Sequence, residues 1–292
     1  MTSDNARTAR EGVGAALLAY TLWGCSPVYF KWIASVPSLE VLAYRISLAV
    51  PFGLIIVLAR RQGREVARAL ATPRTLALLG ASALFVSVNW YVYIEAVLDG
   101  HIFQASLGYY INPLVYVLAG VAFFGERLTR LQFASVALAA VGVIVLGASG
   151  GQFPTISLVL AVSFTIYGVI RKHVAISGMA GLFVETLVLL PVALGYFLWL
   201  NGQGDLAFVT GGPALQGLLL LAGPITVLPL LFFALAARRL TLATLGFIQF
   251  LAPTMQFALG LWYGEVLTVA HGVCFACIWA AVALFVVDAL RR

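Results

Sequence analysis

Long apolar stretches with few charged side chains follow one another along almost the whole chain. A helix needs about 20 mostly apolar residues to cross the hydrocarbon core of a bilayer. Charged residues form 10% of the chain, whereas soluble domains carry about 25%. The sequence therefore predicts an all-α integral membrane protein with the lipid bilayer as its solvent. We predict ten transmembrane helices at residues 12–32, 38–59, 73–97, 102–124, 131–147, 154–170, 179–200, 214–237, 242–263 and 269–289.

The first apolar run follows Arg7 and Arg10, an arrangement that also occurs in secretory signal peptides. The apolar region of a signal peptide is only about 7–15 residues long, and this run is longer. We therefore interpret residues 12–32 as the first spanning helix and residues 1–11 as a cytoplasmic tail.

Basic residues occur in alternate loops between the apolar runs, which gives the orientation of the chain. All of the 17 Lys and Arg residues except Lys31 and Arg45 fall in tails, loops or helix ends on one side of the predicted bundle. Cytoplasmic loops carry the excess of Lys and Arg in membrane proteins. We therefore expect a multi-pass protein with both termini cytoplasmic. The net charge of +6 does not indicate a nucleic-acid partner, because the charges are spread over short loops.

Two stretches, residues 108–129 and 246–268, repeat one pattern. Each begins with Gly, carries a Pro inside an apolar run (Pro113 and Pro253), and closes on Gly-Glu-x-Leu-Thr. A Pro removes one backbone donor and interrupts a helix, and in lipid such a break is tolerated where it faces protein or a wet cavity. Matched breaks in two halves indicate a transporter's binding site, with Pro113 and Pro253 as hinges. The alternative is that Pro is simply commoner in membrane helices.

The two copies divide the chain into two halves of five predicted helices each. We expect a first repeat at residues 12–148, a polar hinge at 149–153 and a second repeat at 154–292. Because five is odd, the second half is inverted in the membrane relative to the first. Inverted-topology repeats underlie alternating access, in which one arrangement opens inward and its mirror image opens outward.

Polar and aromatic side chains at mid-depth in the predicted helices are candidates for a solute pocket. Such pockets are mostly apolar, with a few placed polar groups. The alternative is that Asn and Gln hydrogen-bond between helices, which contributes about 0.6–2 kcal/mol. Both interpretations stay open for Asn112, whereas the position of Gln249 before Pro253 favours the pocket. The candidate substrate-binding residues are Trp23, Asn89, Trp90, Tyr93, Tyr109, Asn112, Tyr167, Thr226 and Gln249.

Two charged residues lie inside predicted helices, Arg45 in the second and Glu185 in the seventh. Arg45 is about seven residues from one end of its helix, roughly 10 Å at 1.5 Å per residue, and Glu185 is similarly deep from the opposite face. Charges inside a bilayer are costly and mark functional sites, so we interpret both as gate or scaffold residues, with proton transfer by Glu185 as a further hypothesis. The alternative is a structural ion pair. The partners considered are Glu40 or Glu95 for Arg45, and Arg171 or Lys172 for Glu185.

Sequence signatures of cofactor, metal or nucleotide chemistry are absent from the chain. Cys274 and Cys277 form one Cys-x-x-Cys without a second pair, so a zinc site is not expected. No phosphate-binding loop, HExxH or GxSxG motif occurs, which argues against an ATP-driven pump and against common hydrolases. We therefore predict no catalytic residues, no metal and no cofactor, and the sequence leaves the oligomeric state open.

Short motifs spread over the chain carry a resemblance to a known family. They are Trp23-Gly24, Tyr29-Phe30-Lys31, Asn89-Trp90, the segments 105–109 and 111–114, Gly125-Glu126-Arg127, Tyr167-Gly168, Arg171-Lys172, Glu185-Thr186, Leu190-Pro191, Pro229-Leu230, the segment 244–247 and Tyr263-Gly264-Glu265. On these motifs the chain resembles the EamA-type branch of the drug/metabolite transporter (DMT) superfamily. The resemblance implies ten helices with a central cavity between two halves. It also implies an exporter of small metabolites, amino acids or drugs in the bacterial plasma (inner) membrane. It implies no single substrate.

The expected function is secondary transport of a small molecule. We expect export of small amphipathic metabolites, amino acids (aromatic ones included) or drugs, by rocking of two halves around a site bounded by predicted helices 1, 3, 4, 6, 8 and 9. The alternative is a non-transporting membrane sensor or a membrane-embedded enzyme. An enzyme should show a clustered acid, base or nucleophile at the interface, whereas Asp99, Glu126 and Glu265 are scattered. We therefore do not expect an enzyme.

Overall fold

A computed structural model describes residues 3–125, 127–148, 153–240 and 242–290. These residues form α-helices joined by short loops, and no strand occurs among them. The helices are α1 (Ser3–Gly24), α2 (Ser26–Trp32), α3 (Ser38–Ala59), α4 (Gly63–Ala71), α5 (Pro73–Leu98), α6 (Ile102–Phe124), α7 (Arg130–Ala148), α8 (Thr155–Lys172), α9 (Gly178–Gln203), α10 (Ala207–Thr210), α11 (Pro213–Leu220), α12 (Ala222–Ala237), α13 (Leu242–Ile248), α14 (Leu251–Trp262) and α15 (Val269–Leu290).

Ten helical stretches among the described residues are long and apolar enough to cross a membrane. The predicted all-α class and the ten spans are therefore confirmed. Span 1 combines α1 with α2, span 8 combines α11 with α12, and span 9 combines α13 with α14. The remaining spans are single helices: span 2 is α3, span 3 is α5, span 4 is α6, span 5 is α7, span 6 is α8, span 7 is α9 and span 10 is α15.

Proline and glycine residues mark the starts and ends of several of these helices. Pro73 and Pro213 stand at the start of α5 and α11, where the missing N–H has no partner to lose. Gly125 and Gly204 follow α6 and α9 with φ of 65° and 80°, the left-handed conformation that terminates helices and that glycine adopts without strain.

Two short helices, α4 and α10, lie between the spans and were not predicted. The amphipathic helix α4 lies between spans 2 and 3 and packs against spans 3 and 7, with Val66 and Ala69 buried. Its Glu65 carboxylate accepts hydrogen bonds from the backbone N–H of Ser177 at 2.6 Å and from its hydroxyl at 2.8 Å. The loop between spans 2 and 3 is thereby tied to the loop between spans 6 and 7.

Loops contact both terminal helices at one end of the bundle. Thr129 donates to Asp288 at 2.8 Å, and Arg239 pairs with Glu11 at 3.8 Å. These contacts join both terminal helices to loops rich in basic residues. We call the end with loops 60–62, 127–129, 173–177 and 238–240 the arginine-rich end, and the end with loops 33–37, 99–101, 204–206 and 263–268 the arginine-poor end.

Glu265 is a partly buried carboxylate at the arginine-poor end, outside the spans. It accepts hydrogen bonds from the backbone N–H groups of Ile102 and of Phe103, the latter at 2.8 Å, and so caps the start of α6. Burial raises the pKa of Glu265 above its ordinary value, although these two N–H groups and the nearby Lys31 act in the opposite direction. The cap connects the loop between spans 9 and 10 to span 4.

The most extensively packed spans form a symmetric set. Span 5 packs on span 10, span 2 on span 7 and span 4 on span 9. Span 1 packs on spans 8 and 9, and span 6 packs on their counterparts, spans 3 and 4. Replacing each span by the one five positions away therefore returns the same set of pairs. This pattern is consistent with two five-helix repeats, which the odd number of spans per half would invert.

Helix interruptions are not distributed as the sequence pattern suggested. The expected break at Pro113 is absent, because α6 runs through this residue without interruption. One proline removes a single hydrogen bond, and the rest of the helical ladder around it is retained. Pro253 does adjoin an interruption, since it is the third residue of α14 and lies three residues beyond the turn that ends at Phe250.

Some predictions concern residues outside the described ranges, and one differs from the structure at the amino-terminal end. Glu126 and residues 149–152 of the predicted hinge are not among the described residues. The expected tail at residues 1–11 is helical from Ser3 onwards, because α1 continues past the apolar stretch that defines span 1.

Candidate functional site

Span 1 is interrupted at Cys25, between α1 and α2. Pro27 lacks the N–H that would bond the carbonyl of Trp23 four residues earlier. That carbonyl instead accepts a hydrogen bond from the Ser26 hydroxyl at 2.7 Å and another from the Gln256 amide of span 9 at 3.2 Å. The backbone carbonyl that the interruption leaves free is therefore hydrogen-bonded within the protein, as a helix break inside a bilayer requires.

Span 9 is interrupted beside the interruption of span 1. A side chain at Gly24 would meet Met255 of α14 at 2.8 Å, so the two backbones approach closely here. Pro253 cannot donate to the carbonyl of Gln249, and its own carbonyl accepts a bond from Ser106 of span 4 at 2.7 Å. Gln249 lies in the turn between α13 and α14; its amide donates to the Gly246 carbonyl of α13 at 3.1 Å and is partly exposed. Among the described residues the Gln249 side chain makes no hydrogen bond to another span, and its place in a pocket stays a prediction.

Span 8 is interrupted at Leu221, between α11 and α12. Pro224 and Pro229 follow within α12, each without a backbone donor. The Thr226 hydroxyl donates to the carbonyl of Ala222 at 2.8 Å and accepts a bond from Arg45 of span 2 at 3.1 Å. Thr226 is 2% exposed, so it serves as a fixed acceptor in the bundle interior.

Arg45 lies inside an aromatic enclosure contributed by spans 1 and 3. Its guanidinium carbon is 4.6 Å from the ring centre of Trp90 and 5.5 Å from that of Phe30. The side chain is 9% exposed. The phenols of Tyr29, Tyr93 and Tyr109 lie within electrostatic range of the guanidinium.

No carboxylate pairs with Arg45 among the described residues. Glu40 accepts hydrogen bonds from the Ala207 N–H at 2.8 Å and from the Tyr44 hydroxyl at 3.3 Å, and Glu95 accepts one from Ser38. The ion pairs considered from the sequence for Arg45 are therefore not formed.

Glu185 is in the opposite situation. The carboxylate is fully buried, accepts hydrogen bonds from Ser82 at 2.5 Å and Tyr167 at 3.5 Å, and pairs with Arg171 at 3.6 Å. The absence of a side chain at Gly181 makes room for Arg171, because a Cβ there would lie 1.9 Å from its Nη1. Of the two cations suggested by the sequence, Arg171 provides the partner in this ion pair.

The sites around Arg45 and Glu185, which we call the two charged centres, have similar hydrogen-bond and aromatic partners but differ in whether a counter-ion is present. Arg45 bonds a hydroxyl on span 8, and Glu185 bonds a hydroxyl on span 3, the counterpart of span 8. Each also meets an aromatic side chain, from span 1 and span 6 respectively. Only Glu185 has an opposite charge beside it among the described residues.

Asn89 joins three spans at the centre of the bundle. Its amide nitrogen donates to the Leu160 carbonyl at 2.9 Å and to the Ser163 hydroxyl at 3.1 Å, while its oxygen accepts from Tyr109 at 3.4 Å. Asn112 likewise accepts from Thr165 at 3.2 Å. Both amides are buried and hold spans 3, 4 and 6 together, which is the helix-joining role weighed above for Asn112.

The aromatic candidates fall into separate groups. Tyr93 links the Arg45 enclosure to span 4, since its ring lies 5.9 Å from Phe30 and 5.6 Å from Tyr109. Its hydroxyl donates to Ser26 at 2.7 Å, because the Ser26 hydroxyl hydrogen is used on Trp23. Trp23 instead packs 6.0 Å from Phe233 of span 8, and Tyr167 belongs to the Glu185 centre.

Sequence reasoning missed residues at both centres. The Ser26-Pro27 pair was a readable signal, since a Pro inside an apolar run breaks a ladder wherever it occurs. Nothing in the sequence marked Ser82 and Phe30 as site residues, because a single Ser or Phe in an apolar helix commonly just packs against neighbouring helices. No group of three or more potential metal ligands occurs among the described residues.

Ten apolar spans, with interrupted helices and polar side chains beside the interruptions, define a multi-span membrane protein of the transporter class. The sequence profile of the EamA-like transporter family matches residues 10–148. Protein RarD of Salmonella typhi is 44% identical over 98% of both chains. An uncharacterized transporter of Vibrio cholerae is 42% identical over 100% of this chain and 96% of its own. This chain belongs to the EamA-like transporter family and is RarD-like, as its motifs predicted.

A solved structure supports the fold independently. A protein chain known from a crystal structure is 20% identical and superposes with a TM-score of 0.59 over 96% of this chain and 97% of its own length. At this identity the likeness concerns the fold alone. The ten spans and the bacterial relatives place this chain among multi-pass bacterial membrane transporters.

Proposed function

We propose that this chain is a secondary transporter of the bacterial plasma membrane that exports small amphipathic solutes by alternating access. The solutes would be metabolites, amino acids (aromatic ones included) or drugs. The two halves form inverted repeats, and the arginine-rich end with both termini faces the cytoplasm. No catalytic step belongs to this mechanism.

The observation that supports the proposal is a conformational asymmetry between the halves. Spans 1, 8 and 9 are interrupted and pack against one another, whereas their counterparts, spans 6, 3 and 4, are continuous. In alternating access by repeats, two halves of similar sequence adopt different conformations and then exchange them, so that the open side changes. A sensor or an enzyme would not require two similar halves to differ in this way.

The candidate residues divide by exposure into two proposed roles. Partly exposed side chains are available to touch a solute, while buried and hydrogen-bonded ones position them. Direct contact is proposed for Trp23, Trp90, Tyr109, Tyr167 and Gln249. Positioning is proposed for Asn89, Tyr93, Asn112 and Thr226.

Flux measurements in proteoliposomes test the function. Vesicles containing the purified chain should show saturable, protein-dependent exchange of at least one member of a panel of labelled amino acids and small aromatic drugs. Trp90→Ala should lower that flux about tenfold or more by removing a pocket wall. The matched control is Trp262→Ala, since Trp262 is 83% exposed on the outer surface of the bundle and should leave flux near the parent value.

Absence of flux for the whole panel would favour the alternative of a sensor or a membrane-embedded enzyme. Equal losses in Trp90→Ala and Trp262→Ala would contradict the proposed site while leaving transport itself in place.

A further inference from the structure

We infer that Arg45 binds an anionic group, a carboxylate, of the solute, and that the surrounding aromatic rings hold the apolar body to which that group is attached. This inference rests on the proposed transport function and narrows its substrate class. It separates small apolar or aromatic carboxylates, amino acids among them, from neutral and purely cationic drugs.

The first step is the uncompensated charge. Arg45 is 9% exposed and makes no ion pair among the described residues. An arginine stays protonated in proteins, and a buried charge without a partner is costly. A solute that brings its own negative charge would remove that cost on binding.

The second step concerns the nitrogen atoms. Nε donates to Thr226 at 3.1 Å, and this is the side-chain hydrogen bond of Arg45 within the described chain. The two terminal nitrogens of Arg45 form no hydrogen bond within the described chain, yet neither belongs to the fully buried polar atoms that lack a partner. Both therefore retain solvent-accessible surface. In contrast, Nη1 of Arg171 is sealed and unpaired. The free edge of Arg45 is therefore open to a ligand.

The third step is the shape of the enclosure. Thr226 holds one edge of the guanidinium, while Trp90 and Phe30 lie close to it at 4.6 and 5.5 Å. The planar fork of arginine matches a carboxylate with two parallel hydrogen bonds. Aromatic walls beside such a fork provide apolar contact for the remainder of the solute.

The fourth step is the comparison with the other half. At the equivalent depth, Glu185 has a cation supplied by the chain itself, Arg171 at 3.6 Å. Arg45 has the hydroxyl and the aromatic contact but no such counter-ion. The missing element of the Arg45 centre is therefore a negative charge, which the solute supplies.

Binding to the purified full-length chain in detergent tests this inference. The probes are benzoate, phenylacetate and phenylalanine, each measured by calorimetry beside its own carboxamide, which has nearly the same shape without the carboxylate. At least one acid should bind about tenfold or more tightly than its amide. Arg45→Gln should weaken binding of that acid about 10- to 100-fold, and Arg45→Lys should weaken it less, because lysine keeps the charge without the fork.

The matched control is Lys31→Gln, which removes a positive charge at the arginine-poor end. Lys31 donates to the carbonyl of Leu98 at 3.1 Å and does not contribute to the enclosure, so acid binding should stay near the parent value. Thr226→Val gives a second variant if Arg45→Gln does not fold, and it should weaken binding several-fold by releasing Nε. Without ligand, Arg45→Gln should keep or raise the thermal midpoint, since it removes an unpaired buried charge.

Several results would overturn the inference: no acid binds, the amides bind as well as the acids, Arg45→Gln binds the acids like the parent, or Lys31→Gln loses as much as Arg45→Gln. Chloride alone stabilising the parent as much as benzoate would also overturn it. Binding that depends on Arg45 without flux in proteoliposomes would contradict the proposed transport function and leave the carboxylate site in place.

Discussion

Arg45 and Glu185 occupy equivalent positions in the two halves, but among the described residues only Glu185 has an oppositely charged partner. Glu185 is paired with Arg171, bonded by Ser82 and Tyr167, and fully buried. Such a pair is weak support for stability as a whole, yet removing one partner leaves the other charge buried alone. The sequence identified both charged positions by depth, but pairing depended on Arg171 folding back against Gly181, which no local pattern encodes.

Glu185→Gln should therefore destabilise the protein by about 3 kcal/mol, because it leaves Arg171 unpaired while it keeps the hydrogen bonds from Ser82 and Tyr167. The double variant Glu185→Gln/Arg171→Gln should recover part of this loss, since no charge is then unpaired. Thermal unfolding in detergent of the parent, both single variants and the double variant measures the coupling.

A purely additive double variant would contradict the ion pair. The same variant addresses proton transfer by Glu185, which is proposed separately. If flux through Glu185→Gln shows the same pH dependence as flux through the parent, Glu185 has no part in proton coupling.

At the scale of helices, hydrophobic length and charge distribution were sufficient to predict ten spans with ends within a few residues. Interruptions were less predictable. The pattern proposed breaks at Pro113 and Pro253. The structure has one beside Pro253, none at Pro113, and two others, before Pro27 in span 1 and at Leu221 in span 8. A proline only permits a break, and neighbouring groups such as the Gln256 amide, which bonds the Trp23 carbonyl, determine whether it is used. Those neighbours are distant in sequence.

The matched prolines nevertheless suggest a mechanism for conformational exchange. Pro113 lies in continuous span 4 and Pro253 beside the interruption of its counterpart, span 9. If the halves exchange conformations, span 4 becomes interrupted near Pro113. Pro113→Ala restores a donor for the Tyr109 carbonyl, which favours continuous α6 by up to about 3 kcal/mol.

We therefore expect Pro113→Ala to raise the thermal midpoint and to lower exchange flux in proteoliposomes about tenfold, since it locks one of the two conformations. Pro51→Ala is the matched control, because Pro51 lies inside α3, a span that is continuous like its counterpart α9 with Pro191. It should raise stability in the same way and leave flux near the parent value. Equal flux in the two variants would argue against Pro113 as a hinge.

At the scale of the molecule, the packing pattern and the charge distribution point to the same arrangement. The most extensive contacts between spans are preserved when each span is replaced by its counterpart, and both terminal helices reach the arginine-rich end through Glu11 and Asp288. Sequence alone predicted this grouping of loops from their basic residues. The assignment of the arginine-rich end to the cytoplasm rests on the general bias of Lys and Arg toward cytoplasmic loops, and the direction of export depends on it.

Cysteine labelling in cells decides that orientation. In a background with Cys25, Cys274 and Cys277 replaced by Ala, Asp205→Cys places one thiol in an exposed loop at the arginine-poor end, and Arg64→Cys places one on the exposed face of α4. A membrane-impermeant maleimide should label the Asp205 variant in intact cells and the Arg64 variant only after permeabilisation. The reverse labelling pattern would mean that the whole bundle has the opposite orientation in the membrane, because the two thiols lie at opposite ends. It would then place the carboxylate site near Arg45 in the cytoplasmic half rather than the outer half.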